Sequence, residues 1–115
     1  MKKINIVKSS EEFTKIIKET KPYRFKGYLV FIAHKIVDHY EFGISVSKKV
    51  GKANVRNRIK RQFKSIIDKN NYQNAFKCII IIKKEALEKT YKEIEFELNE
   101  CFTKANILEE KNEKN

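Results

Sequence analysis

The chain has 115 residues, 41% hydrophobic and 36% charged, with 26 basic against 15 acidic side chains and a formal net charge of +11. That length admits one small domain with a modest core and argues against a multidomain scheme. The longest apolar runs, Tyr28 to Ala33 and Cys78 to Ile82, are too short to span a bilayer, and no apolar h-region follows Met1, so a soluble, cytoplasmic protein with no membrane partner is expected.

Ser9, Ser10, Glu11 and Glu12 fit a capping box with Ser9 as cap, and Phe13, Ile16 and Ile17 follow at helical spacing, which predicts a helix over about 10–18. Pro22 and Gly27 bracket a turn. The β-branched and aromatic run Tyr28 to Val37 then reads as a strand, and a second strand, Tyr40 to Ser47, follows a turn around Asp38. In the second strand Ile44 and Val46 point one way while Gly43, Ser45 and Ser47 point the other. One sheet face is therefore small and polar, open either to solvent or to a ligand lying across it.

Between Phe42 and Ile67 lie Lys48, Lys49, Lys52, Arg56, Arg58, Lys60, Arg61 and Lys64, and no acidic residue. The other 89 residues hold 18 basic and 15 acidic side chains, so the positive charge is concentrated in this window. Three of the chain's four arginines fall here although Lys is used 22 times. A guanidinium fork grips phosphate oxygens or a guanine edge at two points, which an ammonium does not. Biased nucleotide composition would account for scattered lysines, but not for clustered arginines and missing acids. The window reads as a nucleic-acid surface, with a solvated helix face, an anionic membrane and an acidic protein as alternatives.

Gly51 breaks the strand and Asn54 is the expected helix cap. At about 100° per residue, Val55, Ile59, Phe63 and Ile66 share one apolar arc, with Asn57, Arg58, Lys60, Arg61 and Lys64 opposite and Arg56 at the boundary. After a polar turn at 68–74, Lys77 to Lys83 reads as a central strand buried on both faces. Thr90 and Glu93 repeat the capping-box pattern. Leu87, Tyr91, Ile94, Leu98, Cys101 and Ala105 mark a long amphipathic helix. From Glu109 the chain has no apolar anchor, so 1–108 is expected as the domain and 109–115 as a disordered tail. Cys78 and Cys101 lack CxxC spacing and read as buried free thiols; a zinc site would have to recruit distant partners. The element order, about α-β-β-β-α-β-α with one of the strands short, predicts an α+β fold, a two-layer α/β sandwich.

The stretch from Phe42 to Arg61, Phe-Gly-Ile-Ser-Val-Ser-Lys-Lys-Val-Gly-Lys-Ala-Asn-Val-Arg-Asn-Arg-Ile-Lys-Arg, closely resembles the signature of the bacterial ribonuclease P protein subunit. The likeness extends more loosely over nearly the whole chain: the basic N-terminus, a helix carrying Phe13, a strand with an aromatic at Phe31, the isoleucine-rich strand, and a final helix opening with Thr90 and Tyr91. The resemblance implies a left-handed βαβ crossover, against the usual handedness. It implies a subunit of an endoribonuclease that removes the 5′ leader of precursor tRNA, with catalysis carried by the RNA subunit. Partners would be that catalytic RNA and precursor tRNA. Arg56, Asn57, Arg58, Lys60, Arg61 and Lys64, with Lys48, Lys49 and Lys52, would face the RNA. Phe13, Ile17, Phe31, Ser45 and Ser47 would form the leader-binding cleft. Ile17 stands where many members have a second phenylalanine, and Phe31 where tyrosine is common. For Phe13 and Phe31 the alternative is ordinary core packing.

A protein-borne active site has little support. His34, His39, Asp38 and Glu41 cluster around a turn, but no second group of carboxylates is present to hold a two-metal centre. No catalytic residue and no metal ligand is assigned to the chain, and Mg²⁺ is expected through the RNA subunit. A pure RNA-binding module would share the basic helix but not need a second nucleic-acid surface; a DNA-compacting protein would show basic arms or dimer-forming elements, and neither is evident.

Overall fold

Period-two alternation organises the sheet. In the computed structural model, which describes residues 7, 10–34, 39–73 and 75–109, the central strand is the isoleucine run, Phe76–Ile82. In chain order the elements are α1 (Ser10–Glu19), β1 (Tyr23–Phe25), β2 (Tyr28–His34), β3 (Tyr40–Val46), α2 (Ala53–Asp68), β4 (Phe76–Ile82) and α3 (Tyr91–Lys104), with 3-10 turns at Lys48–Val50 and Lys84–Glu88. The sheet runs β1-β2-β4-β3, antiparallel except for the parallel β3–β4 pair, which α2 connects as a crossover. This is the expected α+β architecture and element order.

The two faces of the sheet are unequal. Tyr28, Val30 and Ile32, Phe42, and Phe76, Cys78, Ile80 and Ile82 meet Ile59, Phe63, Ile66 and Ile67 of α2 and Ile94, Leu98, Cys101 and Phe102 of α3 in the main core. Phe42 sits at its centre, edge-on to Tyr72, Phe76 and Phe102 at centroid distances of 5.0, 5.6 and 6.0 Å. The opposite face is held by a smaller cluster, Ile16, Phe31 and Ile79, flanked by Val7, Phe13, Ile17, Leu29, Ala33 and Ile81.

Several boundaries differ from the sequence expectations. The segment read as a turn between Pro22 and Gly27 contains β1, which pairs Phe25 with Tyr28 across a two-residue turn. Gly27 takes φ +92° there, and a Cβ on it would stand 2.3 Å from the Ala86 backbone nitrogen. Asn54 does not cap α2. Lys52 is the extended N-cap residue, without a side-chain bond, and Asn54 lies inside the first turn, its Oδ1 accepting from Val55 N at 2.9 Å. Leu87 belongs to a 3-10 turn, 41% exposed, and α3 starts after Thr90. The Thr90–Glu93 box forms as expected, with Glu93 N donating to Thr90 Oγ1 at 3.1 Å and Thr90 N donating to Glu93 Oε1 at 2.8 Å.

β2 ends at His34; the continuation to Val37, the turn at Asp38, the Ser9 cap and residues 110–115 lie outside the described residues. Glu109, placed with the tail in the sequence reading, donates its backbone N–H to Asn71 O at 2.9 Å, next to a bridge between Tyr72 and Leu108. Both cysteines are buried free thiols. No helix among the described residues is long and apolar enough to cross a membrane.

Candidate nucleic-acid interfaces

The first surface is built where β3 gives way to α2. Ser47 accepts a bond from Lys49 N at 3.2 Å and so turns the chain into Lys48–Val50, whose Val50 is buried and anchors the turn. Lys48 and Lys49 remain exposed. The first turn of α2 carries no acidic residue and its N-cap Lys52 makes no side-chain bond, so the positive end of the helix dipole adds to the field of these cations instead of being neutralised. Farther along, Ile59, Phe63, Ile66 and Ile67 face the core while Asn57, Arg58 and Arg61 are exposed and Lys60 and Lys64 half-buried.

Arg56 occupies the N-terminal end of the core stripe, three residues before Ile59 and seven before Phe63, which accounts for its half-burial. Its Nε is buried without a hydrogen-bond partner. Arg56, Asn57 and Lys60 line a cleft of about 230 Å³ with Ala53 and with Val46 of β3.

Four of the described lysines outside this window are paired. Lys26, Lys69, Lys77 and Lys89 are matched with Glu88, Glu95, Glu12 and Glu97. Among the described residues none of the eight basic side chains from Lys48 to Lys64 is in an ion pair. Their charge is left for a partner.

The second surface is the sheet face under α1. The strand registers place side chains in rows running β2, β4, β3: Leu29–Ile81–Ser45, Phe31–Ile79–Gly43 and Ala33–Lys77–Glu41. The middle row is covered. Phe31 is 4% exposed and packs with Ile16 and Ile79, while Phe13 lies over Gly43. This face was expected to be small, polar and open; instead α1 closes its middle because Gly43 leaves room for an aromatic ring. Leu29, Ile81 and Ser45 are half-buried, as are Phe13 and Ile17 on α1.

The proposed cleft residues therefore separate. Phe13, Ile17 and Ser45 retain accessible surface, Phe31 is buried in the smaller core cluster as the core-packing alternative expected, and Ser47 serves the turn that leads to α2. Leu29 and Ile81 lie in the same row as Ser45, a placement that follows only once the strand register is known.

The third row holds a polar cluster the sequence reading did not join. Lys77 Nζ is hydrogen-bonded to Glu12 Oε2 of α1 and lies 3.6 Å from Glu41 Oε1 of β3, and Glu41 Oε2 is 2.7 Å from His39 Nε2. Burial pushes the Lys77 ammonium down, but the Glu12 hydrogen bond and the Glu41 and Glu12 charges outweigh it and hold the group above the usual lysine value. Among the described residues no group of three or more His, Cys, Asp or Glu side chains is arranged to hold a metal ion.

Comparison with known proteins gives a consistent result. A family model described as Ribonuclease P matches residues 1–106. The ribonuclease P protein component of Streptococcus pyogenes serotype M12 (strain MGAS2096) is 31% identical over 110 residues, covering 95% of this chain and 92% of the relative. That of Bacillus mycoides (strain KBAB4) is 34% identical over 110 residues, with 93% and 96% covered. The solved Staphylococcus aureus RNase P protein superposes with a TM-score of 0.77 at 28% identity, over 91% of this chain and 98% of that one. The Thermotoga maritima RNase P protein, at 24% identity, shares the fold, with a TM-score of 0.75 over 86% and 96% of the two chains. The chain thus belongs to the bacterial ribonuclease P protein component family, the RNA-binding, non-catalytic subunit of the ribonucleoprotein that processes precursor tRNA.

Proposed function

We propose that this subunit works through two surfaces joined at the end of β3. The basic surface, Lys48, Lys49, Lys52, Arg56, Asn57, Arg58, Lys60, Arg61 and Lys64, binds the catalytic RNA. The face formed by α1 with Leu29, Ile81 and Ser45 receives the single-stranded 5′ leader of precursor tRNA, with Phe13 offered to a base and Phe31 supporting it from below. Val46 belongs to the Arg56 cleft and follows Ser45 in β3, so the two surfaces are continuous along the chain.

The observation that carries this reading is the concentration of charge: eight basic side chains fall between Phe42 and Ile67 with no acidic residue among them, and among the described residues none of the eight is in an ion pair. Each phosphate they neutralise releases condensed counterions, which favours association with a polyanion. Phosphodiester hydrolysis then belongs to the RNA, with Mg²⁺ held through its phosphates. The domain acts as one RNA-binding unit over 1–108 in the cytoplasm.

The test separates the surfaces. Replacing Arg58 and Arg61 together by Ala should weaken binding of a bacterial ribonuclease P RNA while leaving the fold intact by circular dichroism. Phe13→Ala should instead reduce the preference of the reconstituted enzyme for precursor over mature tRNA. If the arginine variant bound the RNA normally, or Phe13→Ala left that preference unchanged, the corresponding surface would be misassigned.

A further inference from the structure

Lys77 is the only charged residue of β4, and it stands on the face that α1 covers. Its side chain is 11% exposed. A buried ammonium is costly unless paired and hydrogen-bonded. Here the pairing comes from two other elements: Glu12 of α1 and Glu41 of β3, the latter also within hydrogen-bond distance of His39.

The rest of α1 meets the sheet through Phe13, Ile16 and Ile17, and apolar contact of this kind is non-directional. A charge-assisted hydrogen bond is directional. Glu12 is the residue before Phe13, so fixing one fixes the other. Phe13 occupies the space that Gly43 leaves, since a Cβ on Gly43 would stand only 2.8 Å from Phe13 Cε2. Ile79, next to Gly43 in its row, borders the same space, with Cδ1 2.9 Å from that point.

We propose that Lys77 is a positioning residue: by holding Glu12 of α1 against the Glu41 edge of the sheet, it sets where Phe13 stands and thereby how firmly the cleft grips the nucleotides of a 5′ leader. This rests on the cleft reading given above. The clamp touches neither the leader nor the catalytic RNA; it acts through the placement of α1, as supporting contacts pre-organise a binding group.

The experiment uses the enzyme reconstituted from this protein and a bacterial ribonuclease P RNA. The affinity for a precursor tRNA with a short leader is divided by that for the same tRNA without it, for wild type, Lys77→Met, Glu12→Gln, Phe13→Ala and the Phe13→Ala doubles. Loss of a stacked base predicts a fall in this ratio of about fivefold or more for Phe13→Ala.

Lys77→Met and Glu12→Gln should lower the ratio in the same direction, leave affinity for the catalytic RNA and the leaderless tRNA unchanged, and add little on the Phe13→Ala background. General destabilisation would not confine its effect to the leader. If Lys77→Met does not fold, Glu12→Gln decides by the same criteria. An effective Phe13→Ala with silent or fully additive clamp variants overturns the clamp alone. A silent Phe13→Ala overturns the cleft reading and the clamp's role with it.

Discussion

Gly43 and Phe13 are in direct apposition: a Cβ at Gly43 would lie 2.8 Å from Phe13 Cε2. The missing side chain on β3 is what allows an aromatic of α1 to pack against the sheet. Gly43→Ala should cost about 1–3 kcal/mol through overpacking, part of it recovered if the Phe13 ring tilts outward. Gly43→Val should displace α1 further. Chemical denaturation measures the loss, and fluorine NMR of a fluorinated Phe13 reports whether the ring has moved.

The unpaired cations of α2 predict strong salt dependence. If about six phosphates are engaged, affinity for the catalytic RNA should fall roughly 10³-fold between about 50 and about 200 mM monovalent salt. Filter binding or fluorescence anisotropy across that range gives the slope. A flat response would contradict the assignment of Lys48 to Lys64 as the RNA surface.

Arg58 and Arg61 are exposed on α2, and the chain otherwise prefers Lys, so the fork geometry should matter. Arg58→Lys and Arg61→Lys keep the charge and lose the second hydrogen bond of a bidentate pair, worth about 1.5 kcal/mol, or about a tenfold loss of affinity. Equal affinity for the Lys variants would show that charge alone is read.

Glu93 caps α3 together with Thr90, whose backbone and side-chain bonds hold the carboxyl below the usual glutamate value. Its folded value is depressed, so the stabilisation it provides is complete above the unfolded value of about 4.3 and is lost as pH falls through the lower folded one. Wild type should therefore exceed Glu93→Gln in stability at neutral pH, with the gap closing in acid. Thr90→Ala should cost about 1 kcal/mol at neutral pH. Urea denaturation at both pH values checks the sign.

Burial pushes the Cys101 thiol up to about 12 and Cys78 well above the usual thiol value. Both should therefore stay protonated at neutral pH, and a thiol reagent should label them only on unfolding. Rapid labelling of the native protein would place one of them outside the core.

Most of the fold was legible because periodicity reports burial. The apolar arc of α2, the isoleucine run of β4 and the Thr90 box each needed only local residues to be read. β1 was not legible, since it is only three residues long and Pro22 and Gly27 flank it with turn signals. Asn54 has the chemistry of a cap, but the helix starts one residue before it, so its side chain bonds inside the first turn.

The basic helix of the candidate site could be found from charge alone, while the cleft could not be completed. Leu29 and Ile81 join Ser45 only through strand register. Lys77 meets Glu12 and Glu41 across 65 and 36 positions of sequence, and a lysine at the start of an apolar run reads as its solvent edge.

The most direct test of the account is cleavage of a precursor tRNA at low Mg²⁺ by a bacterial ribonuclease P RNA alone, by this protein alone, and by the two together. The account predicts accurate 5′-leader removal in the mixture and little or none in either component. Cleavage by the protein alone would contradict the placement of catalysis in the RNA. An inactive mixture, under conditions where another bacterial subunit restores activity, would contradict the role in processing and leave an RNA-binding module.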